Sequence, residues 1–508
     1  GGAGLGGVGG VGGIGGAGQG GVGGVGGIGG AGQGGVGGIG GAGQGGIGGA
    51  GQGGTGGTGG APPDFCDATT KQLMLQQLSA LPDLSKVTTG ATTVSGACAF
   101  TFEIDQPVDH QNPAGPHFKQ RVRLMHRSTA KPTSLSTNGY SIGGGSFIGN
   151  DELSFLLQGN RIHVEHRYFP PSQPANPDWQ YLTIEQSAAD HHHLVQVIRP
   201  LYTGKWVSTG ASKGGMTASY HHRFYPGDVD GTVAYVAPRS NSPADPRYTD
   251  FLDQVGTAAC RERIIDLQRE ALGPRREAFV ARMVSEGAAS GSTFDHFGPD
   301  RLFEFAIIES RFVFWQYGDV SQCNSLPLPT ASDNAIYDFF DSVANFSGSY
   351  DDAILNYYAP YYYQASVQLG GPESTERHLE DLLRYPGQNV PSAYPPVGVS
   401  KPFDPDAMVD IADWALTEAQ HVVFVYGQND PWSAAAYEIG AGADTYRLFA
   451  PNGNHGSGIF ELTEPDQTVA LNALEAWTGV TPLRQSPSAE EHSAFRRERR
   501  ENRPPMLP

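Results

Sequence analysis

The sequence predicts an α/β fold: a mainly parallel sheet with helices on both faces, an inserted helical cap, and a disordered Gly-rich leader in front. Three observations predict it. Between residues 100 and 237, and again between 421 and 477, short apolar runs alternate with helical stretches, the pattern of strand–helix units that build a parallel sheet. Between 245 and 405 the alternation gives way to helical sequence rich in aromatic residues. At Gly210-Ala211-Ser212-Lys213-Gly214 a serine flanked by glycines joins a strand to a helix, which is the pattern of a nucleophile elbow.

Taken in order, residues 1–61 are Gly-Gly-X units, with X mostly Val, Ile, Ala or Thr, punctuated by Ala-Gly-Gln. Glycine has the most backbone entropy to lose on ordering. The breaks shift the triplet register and proline is absent, which argues against collagen. The leader reads as a flexible tether; a glycine-rich assembly or surface-attachment segment is the alternative. Residues 62–244 form the first part of the core. In it, Phe65 to Leu81 is a short amphipathic helix, and Phe100 to Gln106 and Gln120 to Arg127 are antiparallel strands. A glycine-rich loop spans Asn138 to Gly145, followed by a helix through Leu153 to Leu157, a strand from Asn160 to His166 and a helix from Thr183 to Tyr202. The elbow strand Lys205 to Thr209, the helix from Met216 to Phe224 and a strand from Gly231 to Ala237 follow. Residues 245–405 are the cap, whose aromatics are mostly its own core, with a few left to line a cleft. Residues 406–482 return to the sheet pattern, with strands at His421 to Gly427 and Thr445 to Phe449 and a closing helix at Gln467 to Trp477. Residues 483–508, polar and including Arg496-Arg497-Glu498-Arg499-Arg500, read as a disordered tail.

Thirty-three basic residues stand against 52 acidic ones in 508, a net charge of −19. That balance argues against nucleic acid and anionic membranes and mildly favours a cationic substrate such as a free peptide amine. No run of about twenty apolar residues appears, so no membrane span is expected. No signal peptide is visible and the first residue is not Met, which suggests a mature or trimmed form. Four cysteines allow three pairings; Cys66–Cys98 and Cys260–Cys323, each closing a moderate loop, are favoured and would fit an exported protein. Four reduced thiols are the alternative. Neither a metal nor another cofactor is expected. No Cys-x-x-Cys pair occurs, and the runs His191-His192-His193 and His221-His222 lie on helices, where consecutive side chains diverge.

The chemistry gathers around Ser212. In sheets that carry such an elbow, an acid follows a late strand and a histidine follows the next one. Asp430 follows the 421–427 strand, and His455 follows the 445–449 strand. His455 would take the Ser212 proton and Asp430 would hold the imidazole tautomer. The backbone N–H of Lys213 would supply half of an oxyanion hole, and the Gly139–Tyr140 turn is the candidate for the other donor. The Lys213 side chain reads as a solvated or structural charge rather than a base.

Glu165-His166-Arg167-Tyr168-Phe169, Asp178-Trp179-Gln180-Tyr181-Leu182, Thr209 to Thr217 and Arg223-Phe224-Tyr225-Pro226 occur in that order. The string resembles the secreted bacterial tripeptidyl aminopeptidase family of serine peptidases. The Glu-His-Arg-Tyr and Asn-Asp-Pro-Trp pieces are also similar to the prolyl carboxypeptidase and dipeptidyl peptidase II relatives. The resemblance covers about Asp64 to Gly479 and implies an α/β-hydrolase core with a helical cap. It also implies a secreted or cell-surface exopeptidase acting on peptides with a free N-terminus, often near proline. Such an enzyme needs an anion for the substrate ammonium, and Glu165, at a strand end, is the expected anchor. A structural pairing with Arg167 or His166 is the competing role. An esterase or lipase on the same fold, or a catalytically inactive surface protein, are the alternative functions, and the sequence leaves the oligomeric state open. The Gly-rich leader and the Gly143-Gly144-Gly145 loop depart from the family pattern.

Overall fold

The computed structural model describes residues 65–501 apart from 397, 400, 441 and 443. The expectation for the leader, and that for the last residues of the tail, lie outside the described residues. A nine-stranded sheet is formed by β1 (Leu84–Thr89), β2 (Cys98–Pro107), β3 (His117–His126), β4 (Thr133–Thr137), β5 (Asn160–Val164), β6 (Trp206–Ala211), β7 (Gly231–Tyr235), β8 (Val422–Gly427) and β9 (Thr445–Ala450). Its order is β1-β2-β3-β5-β4-β6-β7-β8-β9. The β1–β2, β2–β3 and β3–β5 pairs are antiparallel, and every pair from β5–β4 onward is parallel.

Helices α1 (Ala68–Ser79), α2 (Glu152–Leu156), α3 (Ile184–Ile198) and α4 (Lys213–Phe224) belong to the first part of the core. The side-chain period of two sorts the parallel strands between two faces. Val423 and Val425 of β8 join a cluster with Leu153, Leu471 and Trp477. Phe424 and Tyr426 join one with Met216, Tyr220 and Trp414. The former cluster is covered by α2 and α13 (Glu464–Thr478), the latter by α4 and α12 (Pro405–Thr417).

Between β7 and β8 the chain leaves the sheet for α5 (Arg247–Leu252), α6 (Ala258–Leu272), α7 (Arg276–Ser290), α8 (Pro299–Tyr317), α9 (Asp333–Ala344), α10 (Phe346–Tyr350) and α11 (Asp352–Gln364). Their core is built on α8, where Leu302, Phe305 and Ile308 pack with Phe279 and Phe340. Both favoured disulfides form: Cys66–Cys98 ties the start of the chain to β2, and Cys260–Cys323 ties α6 to the segment after α8.

Three differences from the sequence reading stand out. The polar run Thr133–Thr137 is a fully buried strand. Leu84–Thr89 adds an edge strand. Residues expected to be a disordered tail instead form α14 (Ala489–Glu501), with Phe495 buried against Phe155. Its charges are paired: Glu498 bonds Arg161, and the buried Arg499 lies beside Glu152 and Glu461. No helix among the described residues is long and apolar enough to cross a membrane.

Candidate active site

Ser212 sits between β6 and α4 with φ 54° and ψ −129°, a strained backbone for a residue with a side chain. The glycines around it explain why the turn closes. A Cβ on Gly210 would lie 2.4 Å from the Gly214 backbone, and one on Gly214 would lie 2.7 Å from the Thr137 carbonyl. The first-turn N–H groups of a helix have no intrahelical acceptor, and Lys213 opens α4.

Asp430 and His455 follow β8 and β9 and are almost fully buried. Since β6, β8 and β9 run in parallel, the three residues share the carboxyl edge of the sheet. His455 Nδ1 lies 2.8 Å from Asp430 Oδ2. A carboxylate only accepts, so Nδ1 donates and Nε2 is left as the basic nitrogen. Burial pushes the Asp430 carboxyl up, and His455 opposes that shift. The two loops are laced together: Asn429 N–H donates to the Gly453 carbonyl at 2.8 Å, and Asn452 N–H to Gln428 Oε1 at 3.0 Å.

The cap completes the histidine loop. His455 N–H donates to the carbonyl of Gln316, near the end of α8, at 2.9 Å. Asn454 Nδ2 donates to the Tyr317 and Gly318 carbonyls. Tyr317 stands edge-on to the imidazole at 6.1 Å between ring centres. Trp432, two residues after Asp430, lies 6.2 Å from His455 and packs on Phe312 and Tyr248. Sequence reasoning did not single out Gln316, Tyr317 or Trp432 for the site. The Asn-Asp-Pro-Trp string was the one available signal.

Tyr140 is buried, and its phenol faces the side chain of Ser212. Its backbone N–H, the expected oxyanion donor of the turn, already donates to Asn138 Oδ1 at 2.9 Å. The group that Tyr140 offers Ser212 is therefore the phenol. Burial, then the neighbouring Tyr361, Tyr317 and Tyr358, lift that phenol well above its ordinary range, so it stays protonated.

The Lys213 side chain is not solvated: it is 2% exposed. Its Nζ donates to the Gly139 carbonyl at 2.9 Å and lies 3.0 Å from His166 Nε2. His166 Nδ1 points to the Arg167 carbonyl, which leaves Nε2 as the acceptor. Burial holds the amine well below the usual lysine range. It is a structural tie between the elbow and the Gly139 loop.

Glu165 is also placed differently from the expectation. It is fully buried, and its carboxylate accepts from Arg121, Ser141, Ser172 and the Ile142 N–H. Saturated in this way and closed to solvent, it orders the Ser141–Ile142 loop and is not offered to a substrate amine. Its partner is Arg121 on β3, not Arg167 or His166; Arg167 pairs with Asp190.

His191, His192 and His193 turn to Ser187, Asp228 and Gln106 respectively. Among the described residues no group of three His, Cys, Asp or Glu side chains is arranged to hold a metal ion.

With this geometry in place, the similarity to known proteins is specific. Residues 70–504 match the family described as PS-10 peptidase S37. The chain belongs to that family. This S37 member is a serine peptidase. It is 42% identical over 382 residues to the prolyl tri/tetrapeptidyl aminopeptidase of Streptomyces mobaraensis, covering 74% of this chain and 79% of that one. Among solved structures, proline iminopeptidase of Mycobacterium smegmatis matches at 13% identity and TM-score 0.32, covering 73% of this chain and 96% of that one. Acetyl xylan esterase 1 of Thermoanaerobacterium matches at 11% identity and TM-score 0.32, covering 82% and 96%.

Proposed function

We propose that this S37 peptidase is an exopeptidase of the aminopeptidase type. It releases short peptides, ending near proline, from chains with a free N-terminus. The reading is carried by the Asp430–His455 bond at the sheet edge that also presents Ser212 on its strained turn. The 42% identical tri/tetrapeptidyl aminopeptidase supports the substrate class.

In the proposed mechanism, His455 Nε2 takes the Ser212 proton as Oγ attacks the scissile carbonyl carbon. Asp430 holds the imidazole tautomer and stabilises the imidazolium. The carbonyl oxygen becomes an oxyanion, received by the Lys213 N–H and the Tyr140 hydroxyl. The tetrahedral intermediate collapses to an acyl-serine, and the imidazolium gives its proton to the departing amine. Water, deprotonated by His455, then attacks the ester and frees the peptide. Trp432, Phe312 and Tyr248 form an aromatic wall beside His455 that suits the compact, apolar ring of proline. Export is part of the same proposal, supported by two disulfides.

The test is a panel of chromogenic substrates: free and N-acylated tripeptide amides with proline at the cleaved bond, and a short-chain ester. The expected result is preference for the free-amine peptide, abolished by Ser212→Ala. Preference for the ester or the acylated peptide, or activity surviving Ser212→Ala, would refute the proposal.

A further inference from the structure

The peptide that joins Gly139 to Tyr140 is held at both of its polar ends. Its carbonyl accepts from Lys213 Nζ at 2.9 Å. Its N–H, which belongs to Tyr140, donates to Asn138 Oδ1 at 2.9 Å. The next carbonyl, that of Tyr140, accepts from the His166 N–H at 3.0 Å. His166 also receives Lys213, whose Nζ donates to its Nε2 at 3.0 Å. Lys213, the Gly139–Tyr140 turn and His166 thus form a closed circuit of hydrogen bonds, with both side chains buried.

A peptide unit is planar and turns only about the bonds at its two ends. Pinning the units on both sides of the Tyr140 Cα therefore fixes the direction in which its side chain leaves the backbone. The ring is steadied from the same place: Phe169 stands edge-on to Tyr140 at 5.7 Å and to His166 at 6.1 Å between ring centres. The turn also lies directly on the lysine stem, since a Cβ on Gly139 would come within 2.5 Å of Lys213 Cβ. Packing alone does not call for an amine here. A methionine would fill the space without the cost of taking a polar group out of water. What the amine adds is a donor for each of two acceptors, one on the turn and one on His166.

We propose that Lys213, with His166, is a positioning residue for the oxyanion hole: it pins the Gly139–Tyr140 peptide with its N–H turned to Asn138 and so aims the Tyr140 phenol at the developing oxyanion. The elbow then serves the hole twice, directly through the Lys213 N–H and indirectly through the Lys213 side chain. The inference rests on the phenol as oxyanion donor and is independent of which peptides are cleaved.

The experiment is a double-mutant cycle of Lys213→Met and Tyr140→Phe, read on Ala-Ala-Pro-p-nitroanilide and, apart from peptide specificity, on p-nitrophenyl acetate. Lys213→Met alone should lower kcat about 10- to 100-fold, the order of loss that a misplacement of about 1 Å brings. KM should move less than threefold, and affinity for a peptide boronate should fall in step with kcat. In the Tyr140→Phe background the same substitution should lower kcat less than threefold, because the group it aims is already gone. His166→Gln, which keeps an acceptor for Nζ, should lose less than His166→Leu, and this pair runs the same cycle if Lys213→Met does not fold. If Lys213→Met lowers Tm but leaves kcat within threefold of wild type, or if its effect multiplies in full with that of Tyr140→Phe, the lysine only holds the fold together and the positioning role is overturned while the phenol reading stands. If Tyr140→Phe turns over as fast as wild type, the phenol reading itself fails and takes this inference with it.

Discussion

Replacing Tyr140 by Phe removes one oxygen atom and little else. The ring is 3% exposed and held edge-on by Phe169, Tyr358 and Tyr361 at 5.7 to 5.8 Å between centres, and a phenylalanine fills the same space. Stability should change by no more than about 1 kcal/mol, the net worth of an ordinary hydrogen bond. Catalysis should change far more, because loss of an oxyanion donor costs about 3 kcal/mol in the barrier, or roughly 10²-fold in kcat. A donor that acts mainly on the oxyanion contributes little to ground-state binding, so KM should move less than threefold. A peptide boronate or aldehyde that mimics the tetrahedral species should lose affinity in parallel with kcat. Steady-state kinetics, inhibitor titration and thermal melting of Tyr140→Phe against wild type measure all three. A kcat within threefold of wild type, or an unchanged inhibitor affinity beside a reduced kcat, would refute the phenol as oxyanion donor.

Two further predictions concern stability. Burial pushes His126 and His222 down to about 4 and His191 to about 3. Each is neutral in the folded chain, whereas the unfolded chain protonates it near pH 6.5. Their contribution is therefore present above pH 6.5 and lost as pH falls toward 4, by about 3 kcal/mol for each of the pair at 4. Denaturant unfolding from pH 7 to 4 should show this slope, and His126→Gln should flatten it by about 1.4 kcal/mol per pH unit. Arg499 donates to the Gly456 carbonyl, next to His455, and sits beside the buried Glu152 and the half-buried Glu461. Arg499→Met should cost about 3 kcal/mol by leaving that charge unpaired and should lower kcat, with Glu152→Gln restoring part of the stability; an unchanged Tm and kcat would dismiss α14 as a support of the histidine loop.

What could be read from the sequence was what local sterics dictate. The elbow needs its glycines at fixed offsets, and the order of Ser212, Asp430 and His455 follows the strand order. What could not be read depends on partners distant in sequence. Thr133–Thr137 has hydroxyls where a buried strand would show apolar residues, because Ser134 and Ser136 bond Asp151 and Thr137 bonds the Gly214 carbonyl. The charged stretch of α14 looks solvated until Arg161, Glu152 and Glu461 are placed against it. Glu165 could not be assigned to Arg121 without the β3–β5 register, in which Val122 faces Val164.

The bond between His455 N–H and the Gln316 carbonyl has a consequence for the cap. A cap that swung clear would pull on the very loop that carries the histidine, so the position of the cap and the setting of the imidazole are tied together, and Cys260–Cys323 braces the cap from within. Loosening of the cap would therefore be felt at the His455 imidazole as well as at whatever lies beneath the cap.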